Sequence, residues 1–415
     1  MFAKRYRRFD PTEIICNVFD LAMHIVLEFE NSEDVQKAID EVLKCSNAFH
    51  TKGLVNWCEA SGEVPIFKIP SDLETLQDIA NWMHREHPLR IRERMGMIAC
   101  DEKRLAIEII HGTGDGDYCL RFVEHLCHPD EHWEMPKCPR SAEEEFNSQI
   151  QSQPKANVFC AADTNLSRLL GDKKDDQATR HFGNYYFTIP LKEIRGYSPE
   201  DDKIHGISET MWSSLLVSHA AFSKATFSET NFSISTVYNL RRLVSKDDVD
   251  LSRQNYIASL PVTSHPSENT TLKEVGDMMR SDFQQGLKEG RLFSHMKTVW
   301  EAVYRPWRNP NAPGIGIEMS SMGTMKISGP VKDAFVTLIC DDKKDLGSVS
   351  FLTYTAENEN KGGEKTFIGQ MQYSSGEISD EEIELFSKYV IHAMTKFDDK
   401  MTVGDAINEL RNLQK

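Results

Sequence analysis

The chain has 415 residues, 40% of them hydrophobic and 27% charged. That is too apolar for a disordered protein and too long for one small core, so two domains or one two-lobed body is expected. No run approaches the ~20 uncharged apolar residues of a membrane-spanning helix, so no integral membrane association is expected; the net charge of −16 argues against general nucleic-acid binding.

The first eight residues, MFAKRYRR, hold four basic side chains and are read as a solvated arm, because Asp10 and Glu13 follow at once. No apolar run ending in small residues marks a secretory signal. A strand is expected at 22–30 (AMHIVLEFE) and a helix at about 32–49, where Val35, Ile39, Val42 and Leu43 fall at spacings of three and four. A short strand at 63–69 precedes Ser71-x-x-Glu74, a capping-box signature for a helix that stops before Pro88. Residues 104–111 (RLAIEIIH) read as a strand with Ile107, Ile109 and His111 on one face. After HGTGDG, residues 117–127 read as a helix, and the Pro-rich, acidic stretch from about 129 to 155 reads as a loop.

The second half repeats the alternation. A strand at 184–191 leads into an amphipathic helix at 208–227, and FSISTVYNLR (232–241) is a further strand. Helices are expected near 271–289 and 295–305. Three β-rich runs follow at 334–341, 347–357 and 365–373, separated by DKKD and NENKGG, and Ser379 caps a final helix pair. The expected class is α/β (α+β) with mixed sheets flanked by helices, divided into units 1–183 and 184–415.

Nine cysteines without a C-x-x-C pair suit reduced, buried thiols of a cytoplasmic protein. His125, Cys127, His128, His132 and Cys138 match no standard zinc spacing, so no metal is expected. The run 295–313 interleaves Trp300, Tyr304 and Trp307 with Arg305 and Arg308. It reads as core or tunnel lining and not as a base-stacking platform, given the acidic total. Met278, Met279, Met296 and Met322 read as core filling or as an adaptable pocket wall.

The informative segment is His111-Gly-Thr-Gly-Asp115-Gly116, where an apolar strand ends and a helix begins. A histidine there projects past the sheet edge, and its ordinary pKa of ~6.5 lets it accept a proton at neutral pH. A positioned base of this kind contributes ~10²–10⁴ in rate. Gly112 and Gly114 would leave room for a tight turn and a substrate. The bland alternative is a hydrogen-bonded loop histidine, since H-x-x-x-D also arises by chance.

IIHGTGDG resembles the HxxxDG motif of the coenzyme A-dependent acyltransferase superfamily, with its chloramphenicol-acetyltransferase-like fold. STVYNLR (235–241) resembles that group's N-L-R strand, and RQNYIASLPV (253–262) its Gly-Asn strand, with Gln254 in place of glycine. EMSSMGTM (318–325) resembles its Ser-x-x-Gly strand. The opening and closing segments resemble its first and last strand–helix units. The resemblance implies two pseudo-equivalent lobes with an active-site channel between them. It implies His111 as general base, Asp115 and Gly116 as structural members of the motif, and Arg241 as the salt-bridge partner of Asp115. Asn255, Ser320 and Ser321 are the candidates for oxyanion or substrate contacts. No permanently bound cofactor is implied; acyl-CoA would be the co-substrate and a small alcohol or amine the acceptor. Ile110 stands where condensation domains usually double the histidine, and the plant branch's D-F-G-W-G motif is missing, so a microbial-type alcohol or lipid acyltransferase is the better match. A non-catalytic scaffold of the same fold and a condensation-type enzyme using a carrier-bound acyl group are the other readings.

Overall fold

The computed structural model describes residues 5–54, 57–129, 141–156, 166–171, 181–223, 231–244, 254–302, 314–340 and 348–413. In chain order the first half contains β1 (Arg5–Arg8), α1 (Pro11–Val18), β2 (Ala22–Phe29), α2 (Ser32–Cys45), β3 (Thr51–Leu54), β4 (Trp57–Ala60), β5 (Ile66–Lys68), α3 (Leu76–Glu86), β6 (Gly96–Cys100), β7 (Arg104–Ile110), α4 (Gly116–Cys127), α5 (Ala142–Glu145) and α6 (Asn147–Ser152). The second half contains β8 (Arg168–Leu169), β9 (Phe182–Pro190), β10 (Tyr197–Ser198), β11 (Lys203–Ile204), α7 (Ile207–Phe222), β12 (Phe232–Asn239), β13 (Ile257–Ser264), α8 (Leu272–Lys288), α9 (Arg291–Ala302), β14 (Ile315–Ile327), β15 (Val331–Ile339), β16 (Ser348–Asn358), β17 (Glu364–Ser374), α10 (Asp380–Thr395) and α11 (Val403–Asn412).

Two mixed sheets carry the site. The first has the order β15-β2-β7-β6-β5, and the second β13-β12-β14-β16-β17-β9, with β8 paired to β14. Strand alternation gives the first sheet two apolar faces. Ile25, Leu27, Ile107 and Ile109 pack under α2 and α4, whereas Val26, Ala106 and Ile110 meet Ile79, Ala80 and Met83 of α3. β15 comes from the chain's second half yet completes the first sheet by pairing with β2. β14 bridges the two cores. Its start, Ile315 and Ile317, packs in the second, and its end, Met325 and Ile327, in the first. Its register shifts between Ser321 and Thr324, where Gly323 takes φ +111°, a conformation that favours glycine.

Several expectations are corrected. Residues 5–8 are no solvated arm: β1 pairs with β4, and Arg7 Nη1 donates to buried Glu13 at 2.7 Å; residues 1–4 lie outside the described residues. The helix expected from Ser71 begins at Leu76 instead. Thr75 and Asp78 form the capping box there, one turn later. The expected loop contains α5 and α6. α7 is not amphipathic: Thr210 through Ala221 are all buried, because α8, α10 and α11 pack on it as well as the sheet. Ser213 sits inside by bonding back to the Glu209 carbonyl at 2.9 Å, and His219 by bonding across to the Arg168 carbonyl at 2.9 Å. The first of the three closing β-runs lies in the other sheet, so DKKD, which lies outside the described residues, joins strands of different sheets. NENKGG is a true hairpin turn between β16 and β17, with Gly362 and Gly363 at φ +76°. The seven described cysteines are free, six of them buried. No described helix is long and apolar enough to cross a membrane.

Candidate active site

β7 and β2 run antiparallel from Arg104 opposite Glu28 to Ile110 opposite Ala22. One further backbone bond, from His111 N–H to Leu21 C=O at 2.8 Å, extends the ladder past its last pair. The chain then tightens into a single turn at 111–113, and Gly114 N–H donates to the His111 carbonyl at 3.2 Å. His111 therefore stands on the turn and not on the strand, held at both its backbone groups. The Asn255 amide donates to the same carbonyl at 3.1 Å. The sequence expectation of open space at Gly114 is corrected: a Cβ there would meet Ile109 Cδ1 at 2.6 Å and Tyr118 Cδ1 at 2.7 Å, so core packing and not substrate uses that room.

Asp115 is fully buried and opens α4 as its N-cap, accepting from Tyr118 N–H at 2.9 Å. Its other oxygen accepts from Arg241 Nη1 and from Tyr256 N–H, both at 2.8 Å. Arg241 is the arginine of N-L-R and lies in the single turn, 240–243, that follows β12. It also donates to the Gln254 carbonyl at 3.0 Å and lies 5.6 Å from the Tyr256 ring centroid. Gln254 C=O in turn accepts from Asp115 N–H at 2.9 Å. One carboxylate thus gathers three segments, 115–118, 241 and 254–256.

His111, Asp115 and Gly116 border a cavity of about 220 Å³ between the two sheets. Residues from both halves wall it. Leu21, Met23 and Ile15 contribute from the first, and Val237, Ile257, Met296, Leu338 and Leu352 from the second. Most of the lining is apolar, and the polar groups that converge on it include Ser235, His295, Glu318, Ser320 and Ser350. Ser320 faces the cavity, whereas its neighbour Ser321 is exposed, as strand alternation requires. Asn255 is not on the wall; its amide buttresses the His111 backbone instead. Glu318 shares the Ser320 face two residues earlier, and Ser350 Oγ donates to it at 3.3 Å. Sequence reading missed Glu318 and His295; the i, i+2 spacing with Ser320 was the available signal for the first. Met296 and Met322 do line the cavity, Met279 is core, and the aromatic–arginine residues 304–308 lie outside the described residues.

Burial holds the His111 imidazole below its ordinary pKa, against the backbone of His111 and Gly114 and the Asp115 charge, which favour the protonated ring. The ring is therefore neutral at pH 7. Its Nδ1 is buried without a hydrogen-bond partner. The Cys16 thiol on the same wall is pushed up to about 12 by burial and stays protonated, so it is no competing nucleophile. Burial also raises the Glu318 carboxyl.

Two groups away from this cavity have metal-ligand chemistry: His24, His84 and Glu108, and Glu41, Cys45 and His125. Of the histidine–cysteine run read from sequence, His125 turns to Glu41 at 2.7 Å and His128 to Ser328 at 2.7 Å, so the two do not converge. His132 and Cys138 lie outside the described residues.

No family model and no curated protein matches the sequence. Solved structures match over nearly the whole chain. Polyketide synthase associated protein 5 from Mycobacterium tuberculosis is 11% identical with a TM-score of 0.64, over 96% of this chain and 100% of that one. A variant of the starter condensation domain of rhizomide synthetase, in complex with C8-CoA, is 10% identical with a TM-score of 0.62, over 97% of each. The epimerization domain from the third module of tyrocidine synthetase B is 10% identical with a TM-score of 0.60, over 100% of this chain and 98% of that one. The chain thus shares the fold of these condensation and epimerization domains and of the polyketide synthase associated protein, the fold that the resemblance implied.

Proposed function

We propose that the protein is an acyltransferase that moves an acyl group from a coenzyme A thioester to a hydroxyl or amine, with His111 as general base. The observation that carries this reading is a neutral imidazole on the wall of an apolar cavity, fixed through its backbone beside the buried Asp115–Arg241 pair. The C8-CoA complex of the similar condensation domain supports the donor class. In this reading the two sheets face each other across the cavity; the expected division at 183/184 cuts through β9 and is corrected, because β15 crosses into the first sheet and β8 into the second, and free, buried thiols suit a cytoplasmic setting.

His111 takes the proton from the acceptor's O–H or N–H as that atom attacks the thioester carbonyl. The tetrahedral intermediate places negative charge on the carbonyl oxygen, and Ser320 is the candidate hydroxyl donor to it. Collapse breaks the C–S bond, and the imidazolium returns its proton to the leaving thiolate, giving acylated acceptor and free coenzyme A. Asp115, Gly116 and Arg241 position the turn and touch no reacting atom.

The cavity exceeds the ~150 Å³ apolar cavity that holds a benzene ring, so a short or medium acyl chain is the expected fit. The test is coenzyme A release with acetyl to palmitoyl donors and mixed acceptors, compared with the same acyl groups on a phosphopantetheinyl protein. Release with coenzyme A donors supports the reading; transfer from the carrier protein alone assigns the condensation-type alternative, and turnover with neither assigns a binding scaffold.

A further inference from the structure

We propose that His24, His84 and Glu108 form a site for one divalent transition-metal ion of zinc's class. His24 and Glu108 face each other across β2 and β7. Both side chains project to the face that α3 covers, the face of Val26, Ala106 and Ile110. His84 comes down from the last turn of α3. Glu108 Oε1 lies 3.5 Å from His24 Nε2 and 3.2 Å from His84 Nδ1, and the donor atoms of the three residues all lie within 4.8 Å of one another. Ligands of a tetrahedral zinc ion at ~2.0–2.2 Å stand about 3.3–3.5 Å apart, so both Glu108 distances already fit and the two imidazole donors, within 4.8 Å of each other, close by a rotamer-scale movement of His84.

The second observation is an absence of hydrogen-bond partners in the most buried part of the cluster. The side chains of His24 and Glu108 are 0% exposed. Both ring nitrogens of His24 and Oε2 of Glu108 are buried without a hydrogen-bond partner. Orphaned buried polar atoms are rare, and a place for a bound ion is one recognised cause. An ion accounts for two of the three, His24 Nε2 and Glu108 Oε2, and leaves His24 Nδ1 unused: His24 Nε2 and His84 Nδ1 supply two donors, and Glu108 supplies one or, through Oε2, both of its oxygens. Two imidazoles and a carboxylate without a thiolate suit zinc and its neighbours more than calcium or magnesium. His84, 14% exposed, marks the way in.

Such an ion ties α3 to the strand pair just upstream of His111: Glu108 is three residues before it, about 10 Å along an extended strand. The site stands on its own geometry, whether or not His111 is a base.

The experiment strips the full-length protein with a chelator, reloads it with zinc or cobalt(II), and removes excess metal. Elemental analysis is expected to give about one equivalent of zinc. The cobalt form is expected to show the visible bands of a four-coordinate nitrogen–oxygen site, and stripping is expected to lower Tm by ~4 °C or more. His84→Ala, on the outer helix, and the near-isosteric Glu108→Gln are expected to keep their circular dichroism and lose metal and bands. Zinc well below one equivalent after reloading, or full retention by folded His84→Ala, overturns the proposal. So does a thiolate-to-cobalt charge-transfer band abolished by Cys45→Ser, which would place the ion at Glu41, Cys45 and His125.

Discussion

Replacing Asp115 by asparagine tests the clamp most sharply. The carboxylate accepts three hydrogen bonds, from Tyr118 N–H, Arg241 Nη1 and Tyr256 N–H, and has no solvent exposure. Asparagine keeps one carbonyl oxygen. Turned toward Arg241 and Tyr256, it presents its NH₂ to the Tyr118 N–H and loses the N-cap, worth ~1 kcal/mol. Turned the other way, it presents donors to two donors. In both orientations Arg241 loses its 2.8 Å partner and is left with Asp117 at 3.7 Å, and removing one partner of a buried pair costs about 3–5 kcal/mol. At ~2.1 cal/mol/K per residue, 415 residues give an unfolding entropy of about 0.9 kcal/mol/K, so Tm should fall by ~3–6 °C. Turnover should fall about 100-fold, because the turn that aims His111 loosens. Calorimetry and a coenzyme A-release assay read the two effects. A variant with unchanged Tm and full turnover would refute the clamp.

His111→Ala should retain the fold by circular dichroism while transfer falls ~10²–10⁴-fold; retained turnover removes the histidine from the mechanism. Because burial lowers the His111 pKa, the neutral, active ring persists below pH 6.5, and kcat/KM should lose activity only as pH falls through that lower value. Asp115→Asn, which removes a charge favouring the protonated ring, should move this acid limb to still lower pH, and an acid limb above 6.5 in the parent would contradict the assignment. Val237→Phe narrows the apolar wall and should shift donor preference toward shorter acyl chains at each ~0.8 kcal/mol per methylene excluded; an unchanged chain-length profile would mean the acyl group lies elsewhere.

The motif and its partner were readable because both are local signals: a strand end, a helix cap, and an arginine that the resemblance paired with Asp115. β-branched runs located most strands. Sheet membership was not readable, because 334–341 looks the same whether it joins a neighbour in sequence or crosses to β2. α7 was misread as amphipathic because its serines break the apolar run, whereas burial of a serine such as Ser213, whose hydroxyl bonds back to its own helix, leaves no trace in periodicity. The role of Asn255 was misplaced for a related reason: its type announces a donor, but only the fold shows that the acceptor is the His111 carbonyl. The cluster of His24, His84 and Glu108 was invisible, since its members come from two strands and a helix, 60 and 24 residues apart along the chain.

The way His111 is held bears on how the proton moves. In a serine-type triad a carboxylate bonds the ring and stabilises the imidazolium. Here both oxygens of Asp115 are occupied by Arg241 and by backbone N–H groups, and the ring is aimed through its main chain, by Leu21, Gly114 and Asn255. The imidazolium gains no carboxylate hydrogen bond and its pKa stays below 6.5. The departing thiolate belongs to an alkyl thiol, whose ordinary pKa (~8.5 for cysteine) lies above that of the ring, so returning the proton to sulfur is downhill. A ring bonded to a carboxylate would hold its proton longer and slow that return. The geometry therefore favours the second half of the proposed reaction, expulsion of the thiol, and leaves deprotonation of the acceptor as the step that needs assistance from the polar groups on the wall, Glu318 and Ser320 among them.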